Sequence, residues 1–295
     1  MNSVANQTRM PLWIRQQLGV DRHFGATRAA INAQKLNTVC VEAKCPNRGE
    51  CWSRGTATFM LLGAICTRAC GFCAVATGRP KGVEEDEPQR VVEAVAALQL
   101  KYVVLTSVNR DDLKDGGATI FARTIAALRS SDPAIGIELL TPDFRNCQEP
   151  AWQRINQTLN DLSAPSRKDL VWGHNMETVP RLYKTARRGA NYQRSLKLLA
   201  GAALLPNVKT KSALMLGLGE KQEEVMDVLR DLRAHGVERV SLGQYLRPTR
   251  KHLPVQRYIP PEEFQTYENL ARSLGFAWVK AGPLVRSSYF AESVC

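Results

Sequence analysis

From residue 58 onward, short apolar runs alternate with stretches whose apolar positions recur at helical spacing. That alternation is the pattern of repeated βα units and a parallel sheet. The runs Thr58–Ala64, Tyr102–Val108, Ile135–Leu140, Leu170–Trp172, Ser212–Leu218 and Arg239–Gln244 predict strands. Between them, Pro88–Leu100 reads as a helix entered through the acidic Glu84–Glu87 stretch, and Thr119–Arg129 places Ile120, Phe121, Ile125 and Leu128 on one stripe. Asn191–Leu205 and Glu223–His235 read the same way, the second stopping at Gly236 as a helix should. A helix over Pro260–Leu274 and a short seventh strand, Ala277–Lys280, follow. Six βα units predict an α/β fold, a partial (βα)6 barrel of TIM type that is open rather than closed.

Residues 1–55 show no such rhythm, and the expected division is an N-terminal extension (1–55), a barrel body (56–250) and a C-terminal extension (251–295). No linker rich in Gly, Ser or Pro separates two bodies, and 295 residues suit one barrel. The first 20 residues carry Arg9 and Arg15 around Pro11–Ile14 and no acid; they are expected to pack as an amphipathic helix rather than to serve as a transit peptide. With 44% apolar residues and no apolar run of bilayer length, the chain is expected to be soluble, without a membrane partner, in a reducing cytoplasm. The net charge of +12 (40 basic minus 28 acidic) calls for an anionic ligand or partner. A metal-stabilised nucleic-acid binder would satisfy it but needs basic surface studded with aromatics. With 7% aromatic residues and no basic cluster longer than Arg187-Arg188, no nucleic acid is expected.

Cysteine placement changes the picture most. Six of the eight cysteines form two triplets, Cys40-x4-Cys45-x5-Cys51 and Cys66-x3-Cys70-x2-Cys73. Extracellular disulfides fit poorly, because a chain with a large core seldom depends on them and no secretory signal is present. A structural zinc site closes with four ligands, and ordinary iron–sulfur ferredoxins supply four cysteines per cluster. A triplet leaves one coordination position for chemistry or for an unusual ligand. A histidine completing a zinc site would have to be His23, His174, His235 or His252, none of which is near either triplet in sequence. The second triplet follows the first strand directly, which puts it in a βα loop at the C-terminal mouth, where barrel enzymes keep their active sites.

The stretch Cys66-Thr-Arg-Ala-Cys70-Gly-Phe-Cys73 resembles the cluster loop of the radical S-adenosylmethionine (SAM) enzymes. The resemblance implies a 4Fe–4S cluster whose open iron is chelated by SAM and whose electron cleaves SAM to a 5′-deoxyadenosyl radical. Cys40–Trp52 narrows the family, because it resembles the auxiliary-cluster motif of lipoyl synthases. That likeness continues through Thr106–Gly117, Thr141–Arg145, His174–Tyr183, Lys211–Glu220, Gly243–Thr249 and the terminal Gly282–Tyr289, covering roughly residues 30–292. It implies a second 4Fe–4S cluster held by Cys40, Cys45, Cys51 and a serine of Arg286-Ser-Ser-Tyr289, assigned by motif position to Ser288 in preference to Ser287. Hydroxyl is a harder ligand than thiolate and a poorer match for iron–sulfur chemistry, so one corner of that cluster is expected to be easily released. The family's activity is the insertion of two sulfurs, at C6 and C8, into an octanoyl chain on a lipoyl carrier domain, with this auxiliary cluster as the sulfur source. The implied partners are the octanoylated carrier (a 2-oxoacid dehydrogenase E2 subunit or the glycine cleavage H protein) and a small electron donor, ferredoxin or flavodoxin. A biotin synthase or methylthiotransferase would share the second triplet and the barrel but is not expected to carry the first triplet or the Arg-Ser-Ser-Tyr tail.

Other positions rest on strand-end placement. Asn109 and Arg110 follow the second strand, Glu138 and Asp143 flank the end of the third, and His174 and Asn175 follow the fourth; Asn109, Arg110, Glu138 and His174 are taken as candidate SAM or substrate contacts. Phe72 resembles the family's adenine-contacting position, acting through its backbone. Cys147 and Cys295 belong to neither triplet and are expected to be incidental thiols. Leu216–Gly219 lacks the spacing of a nucleotide loop and reads as a strand end.

Overall fold

In the computed structural model the described residues are 10–14, 22–45, 47–53, 58–162, 168–289 and 291. Seven strands form one parallel sheet: β1 (Thr58–Leu61), β2 (Tyr102–Ser107), β3 (Gly136–Leu140), β4 (Leu170–Gly173), β5 (Val208–Leu216), β6 (Arg239–Gln244) and β7 (Trp278–Gly282). They lie side by side in chain order, and β7 does not return to pair with β1. The expected α/β partial barrel is therefore the observed one. Instead, Asn37–Thr38 pairs antiparallel with Phe59 and Met60, so the N-terminal extension supplies the outer edge beside β1.

Most element ends shift by a few residues from the expectation, and two of these shifts have clear local reasons. β1 ends at Leu61 because Leu62 and Gly63 take left-handed backbone (φ 68° and 85°), which turns the chain out of the sheet. β5 begins earlier than expected, at Val208, because residues 208–211 make the whole pairing with Leu170–Gly173 of β4.

Helices α1 (Glu87–Ala97), α2 (Ala118–Ser131), α3 (Gln148–Asp161), α4 (Tyr192–Ala203), α5 (Gln222–Ala234) and α6 (Pro261–Ser273) follow successive strands. α3 has no counterpart in the sequence reading. Its buried apolar stripe is only Ala151, Ile155 and Leu159, with the half-buried Trp152 beside it, so its period is faint until α2 and α4 are present to cover it. Outward-facing Val103, Leu105, Ile137 and Leu139 pack against Phe121, Ile125 and Leu128 of α2 in the larger core cluster. The N-terminal stretch forms a single 3-10 turn, Leu12–Ile14, and a helix over Arg22–Ala33; Arg9 and Arg15 lie outside the described residues, as does Cys295. Among the described residues, no helix is long and apolar enough to cross a membrane.

The barrel interior is layered. Glu138 on β3 and Lys211 on β5 reach across β4 to one another at 2.8 and 2.9 Å, and both side chains are almost completely buried. Tyr102 donates to the same carboxylate at 3.2 Å, and the Trp278 ring lies 5.1 Å from the Lys211 ammonium. One step nearer the strand C-termini, Thr106, Leu140 and Met215 border an open cavity.

Candidate active site

The second triplet lies in a loop closed by the short parallel pairing of Ile65–Cys66 with Ala76–Thr77. This closure brings Cys66, Cys70 and Cys73 to one wall of the cavity. Backbone N–H groups of Arg68 and Asn109 point at the Cys66 sulfur at 3.4 and 3.3 Å. The loop is tied to the one after β2, since Thr67 donates to the Asn109 carbonyl through both its backbone and its hydroxyl at 3.0 Å. Arg68 grips Asp111 with two donors at 2.6 and 2.7 Å and reaches Asp143 at 2.7 Å; Arg194 takes the other Asp143 oxygen at 2.8 Å. Burial alone would raise Asp143, but Arg68, then His174 and Arg194, hold its carboxyl down at about 2.

Burial pushes the Cys70 thiol up to about 11 and the Cys73 thiol to about 12. These two therefore stay protonated at neutral pH in the protein alone, and they become good ligands only for a cation strong enough to displace the proton.

The first triplet sits on two short helical turns, Val39–Glu42 and Arg48–Ser53, with Cys45 between them. Thr38 caps the first turn by accepting from the Val41 N–H at 3.4 Å. Cys40 is 6% exposed, and burial raises its thiol to about 11. A smaller pocket is bordered by Cys40, Cys45, Cys51, Arg286, Ser288 and Tyr289. Residues more than 230 positions apart close it. Tyr289 donates to the Glu50 carboxylate at 3.0 Å, and Asn47 donates to the Leu284 carbonyl at 2.6 Å. The tail also runs hard against β6, because a Cβ on Gly243 would stand 1.9 Å from the Val285 carbonyl oxygen. Only glycine admits that approach.

The larger cavity, about 460 Å³, joins the two regions: Cys45, Cys66, Cys70, Cys73, Ser287 and Ser288 all border it. Cys45 and Ser288 border both spaces, whereas Ser287 borders only the larger. Of the other expected contacts, Phe72, Asn109, Asp143, His174 and Asn175 are in the cavity wall. Arg110 and Glu138 are not. Arg110 turns away to hold Asp112, at 2.8 to 3.1 Å, and the carbonyls of Leu62 and Lys81. Glu138 lies a layer deeper, engaged with Lys211. The His174 Nδ1–H donates to the Thr141 carbonyl at 2.8 Å, which leaves Nε2 to accept from Ser195 at 3.0 Å. Burial, reinforced by Arg187, lowers this imidazole to about 4, so it is neutral.

The cavity wall also contains Glu177, Arg187 and Arg286, none of them singled out from the sequence as a contact. Glu177 has a left-handed backbone (φ 66°) although it is not glycine. Its N–H donates to the Ala213 carbonyl at 3.0 Å, and its carbonyl accepts from Met215 at 2.8 Å, which fixes that conformation. Burial raises its carboxyl, against the pull of Arg187, Asn175 and Arg286. The available signal was its position three residues after His174.

Among the described residues, no three His, Cys, Asp or Glu side chains converge on a point that a single ion could fill. That arrangement lends no support to a mononuclear zinc site. The donor sets suit larger thiophilic groups: three thiols on one wall at the second triplet, and three thiols with a hydroxyl around the smaller pocket.

Residues 60–232 match the radical SAM superfamily. The chain is 53% identical over 285 residues to the lipoyl synthase of Methylococcus capsulatus, covering 96% of this chain and 86% of that one. It is 52% identical to the lipoyl synthase of Chromobacterium violaceum, covering 96% and 88%. Among solved structures, Streptococcus suis SuiB bound to S-adenosylmethionine aligns with a TM-score of 0.56 at 12% identity, over 80% of this chain and 55% of that one, a likeness of fold alone. With a family match over more than half its length and relatives this similar from end to end, the chain belongs to the radical SAM superfamily and, within it, to the lipoyl synthases.

Proposed function

We propose that Cys66, Cys70 and Cys73 hold a SAM-binding 4Fe–4S cluster, and that Cys40, Cys45, Cys51 and Ser288 hold a second one, consumed as the sulfur source at C6 and C8 of a protein-bound octanoyl chain. The observation that carries this reading is that members of both cysteine sets and Ser288 border one cavity. When bound, the clusters and SAM supply a radical able to break an unactivated C–H bond and the sulfur that replaces the hydrogen.

The protein's own part is positioning. Apolar Val39, Met60, Val108, Leu140 and Met215 line the cavity and suit an alkyl chain, while Asn109, Glu177 and Arg286 supply polar contacts for SAM; Asp143, both of whose oxygens are taken by Arg68 and Arg194, braces the wall behind them. Held between the two donor sets, a carbon would face SAM on one side and sulfur on the other, the proximity that makes such a reaction effectively intramolecular. The neutral His174, with both nitrogens engaged, stiffens the wall rather than moving a proton. The Ser288 hydroxyl borders both spaces, which supports reading it as the harder and more easily released ligand beside three thiols.

The carrier reading favours an octanoylated E2 or H-protein domain, whose acidic surface would meet the chain's net +12; the electron donor reading favours a ferredoxin or flavodoxin. Iron and labile-sulfide analysis after anaerobic reconstitution tests the cluster assignment. About eight irons per chain are expected for two clusters. Stoichiometric zinc, or four irons in both the wild type and a Cys40→Ala/Cys45→Ala/Cys51→Ala variant, would overturn it.

A further inference from the structure

The cluster loop is wedged between two segments of the barrel rim. The Gly71 N–H donates to the Ala186 carbonyl at 2.9 Å, and a Cβ on Gly71 would stand 2.8 Å from the Thr185 carbonyl oxygen. On the other side, the Leu253 N–H donates to the Gly71 carbonyl at 2.9 Å, and the His252 ring lies 3.0 Å from the Cys73 carbonyl. Tyr245 locks that second segment by donating to the Leu253 carbonyl at 2.8 Å. Both segments belong to acid-free stretches, Thr178–Gly219 and Arg239–Pro261.

Several cations in those stretches are already engaged. Arg181, Arg194, Lys209, Lys211 and Arg257 are ion-paired, and Arg187 is buried. The cations nearest the wedge are not. Lys184, Arg188, Arg247, Arg250 and Lys251 are exposed and make no ion pair among the described residues. Arg247 only braces its own turn, donating to the His252 carbonyl at 2.8 Å and to the Arg250 carbonyl. Asp111 and Asp143, the carboxylates beside this rim, are claimed by Arg68 and Arg194. Five positive charges scattered in sequence are thus gathered on both sides of the backbone that carries Cys70 and Cys73.

We propose that this face docks an acidic one-electron carrier protein of the ferredoxin or flavodoxin type, which reduces the cluster held by Cys66, Cys70 and Cys73; the proposal rests on the cluster reading above. The redox step balances simply: the carrier loses one electron, the cluster gains one, and no proton or group moves. Geometry separates this partner from the octanoylated carrier. Of the five cations only Arg247 borders the cavity, so the face looks away from the space an octanoyl chain must enter. An electron needs closeness to the cluster but no entry to the cavity. Weak electron-transfer encounters use small interfaces steered by charge, which this face supplies.

The test uses the reconstituted holoenzyme with a reduced bacterial flavodoxin as probe. Arg250→Glu/Lys251→Glu, and separately Lys184→Glu/Arg188→Glu, are expected to weaken flavodoxin binding at low ionic strength by about tenfold or more. They are expected to slow cluster reduction by flavodoxin, read from the reduced-cluster EPR signal, to a similar extent. Reduction by dithionite, SAM cleavage with dithionite and binding of an octanoylated carrier domain should stay at wild-type levels. Unchanged flavodoxin binding in both variants would overturn the proposal, and so would loss of carrier binding, which would assign the face to the carrier. If dithionite yields no SAM cleavage even in the wild type, it is the cluster reading that fails, a result distinct from either.

Discussion

Glu138 and Glu177 are two carboxylates inside one barrel, both pushed up by burial, and their surroundings assign them opposite tasks. Glu138 is the third residue of the regular strand β3, 1% exposed, with its oxygens 2.8 and 2.9 Å from the Lys211 ammonium. Nothing can reach it. Glu177 stands in irregular backbone past β4, in a left-handed conformation, with Asn175 donating to it at 3.1 Å and its carboxylate open to the cavity beside Arg187 and Arg286. A strained residue held by its neighbours costs roughly 1–3 kcal/mol and persists where a side chain must be aimed. A sealed ion pair closes the floor of the barrel; a strained, accessible carboxylate marks its working end.

The largest effect that would sharpen this contrast is on activity. Glu177→Gln keeps the backbone and removes the charge, so lipoyl formation is expected to fall by about 10²-fold or more, as misplacement near a reacting centre does. Its melting temperature should barely move; a loss of stability as large as that at the barrel floor would make Glu177 a structural carboxylate like Glu138. The converse holds at the floor. Lys211→Met leaves the Glu138 charge buried and unpaired, and such a change costs about 3–5 kcal/mol in denaturant unfolding. SAM binding by the surviving folded protein should remain close to wild type; a selective loss of SAM affinity would move Glu138 into the site.

Acid should separate the two layers as well. Folded His174 titrates at about 4 against an ordinary 6.5, so between those values the unfolded chain takes up a proton that the folded one refuses. Its stabilising contribution is complete above about 6.5 and is lost as pH falls toward 4, with a slope of up to about 1.4 kcal/mol per pH unit. Asp143, at about 2 against 3.8, adds a loss of the same sign at lower pH. Thermal melts from pH 7 to 5 should therefore show a decline that His174→Gln flattens; an unchanged slope in that variant would assign the decline elsewhere. The smallest effect concerns docking: binding of an octanoylated carrier should weaken between low and physiological ionic strength as salt screens the chain's surplus positive charge. Salt-independent binding would leave the net charge of +12 without this role.

How much of this could be read from the chain follows from where each feature's cause lies. Strand and helix rhythm and the two cysteine triplets are local patterns, and they located the barrel and both donor sets. Features whose cause is tertiary stayed hidden. The turn at Leu62 and Gly63 depends on backbone conformation, and the sparse stripe of α3 shows its purpose only against α2 and α4. The strand-end rule favoured Arg110 and Glu138, but side-chain direction sent one outward to Asp112 and the other inward to Lys211. Glu177 escaped because irregular backbone has no period, and Arg286 was overshadowed by the serines beside it. The joining of tail and extension through Tyr289–Glu50 spans 239 residues, a contact that no local pattern encodes.

In the proposed reaction the two cysteine sets, members of which border one cavity, have different tasks. The most direct measurement is 5′-deoxyadenosine formation, with dithionite as reductant, in Cys→Ala variants of each triplet checked for native folding. Variants at Cys66, Cys70 or Cys73 are expected to form none. Variants at Cys40, Cys45 or Cys51 are expected to form it measurably while making no lipoyl product. Equal loss of 5′-deoxyadenosine in both groups would contradict the division of labour.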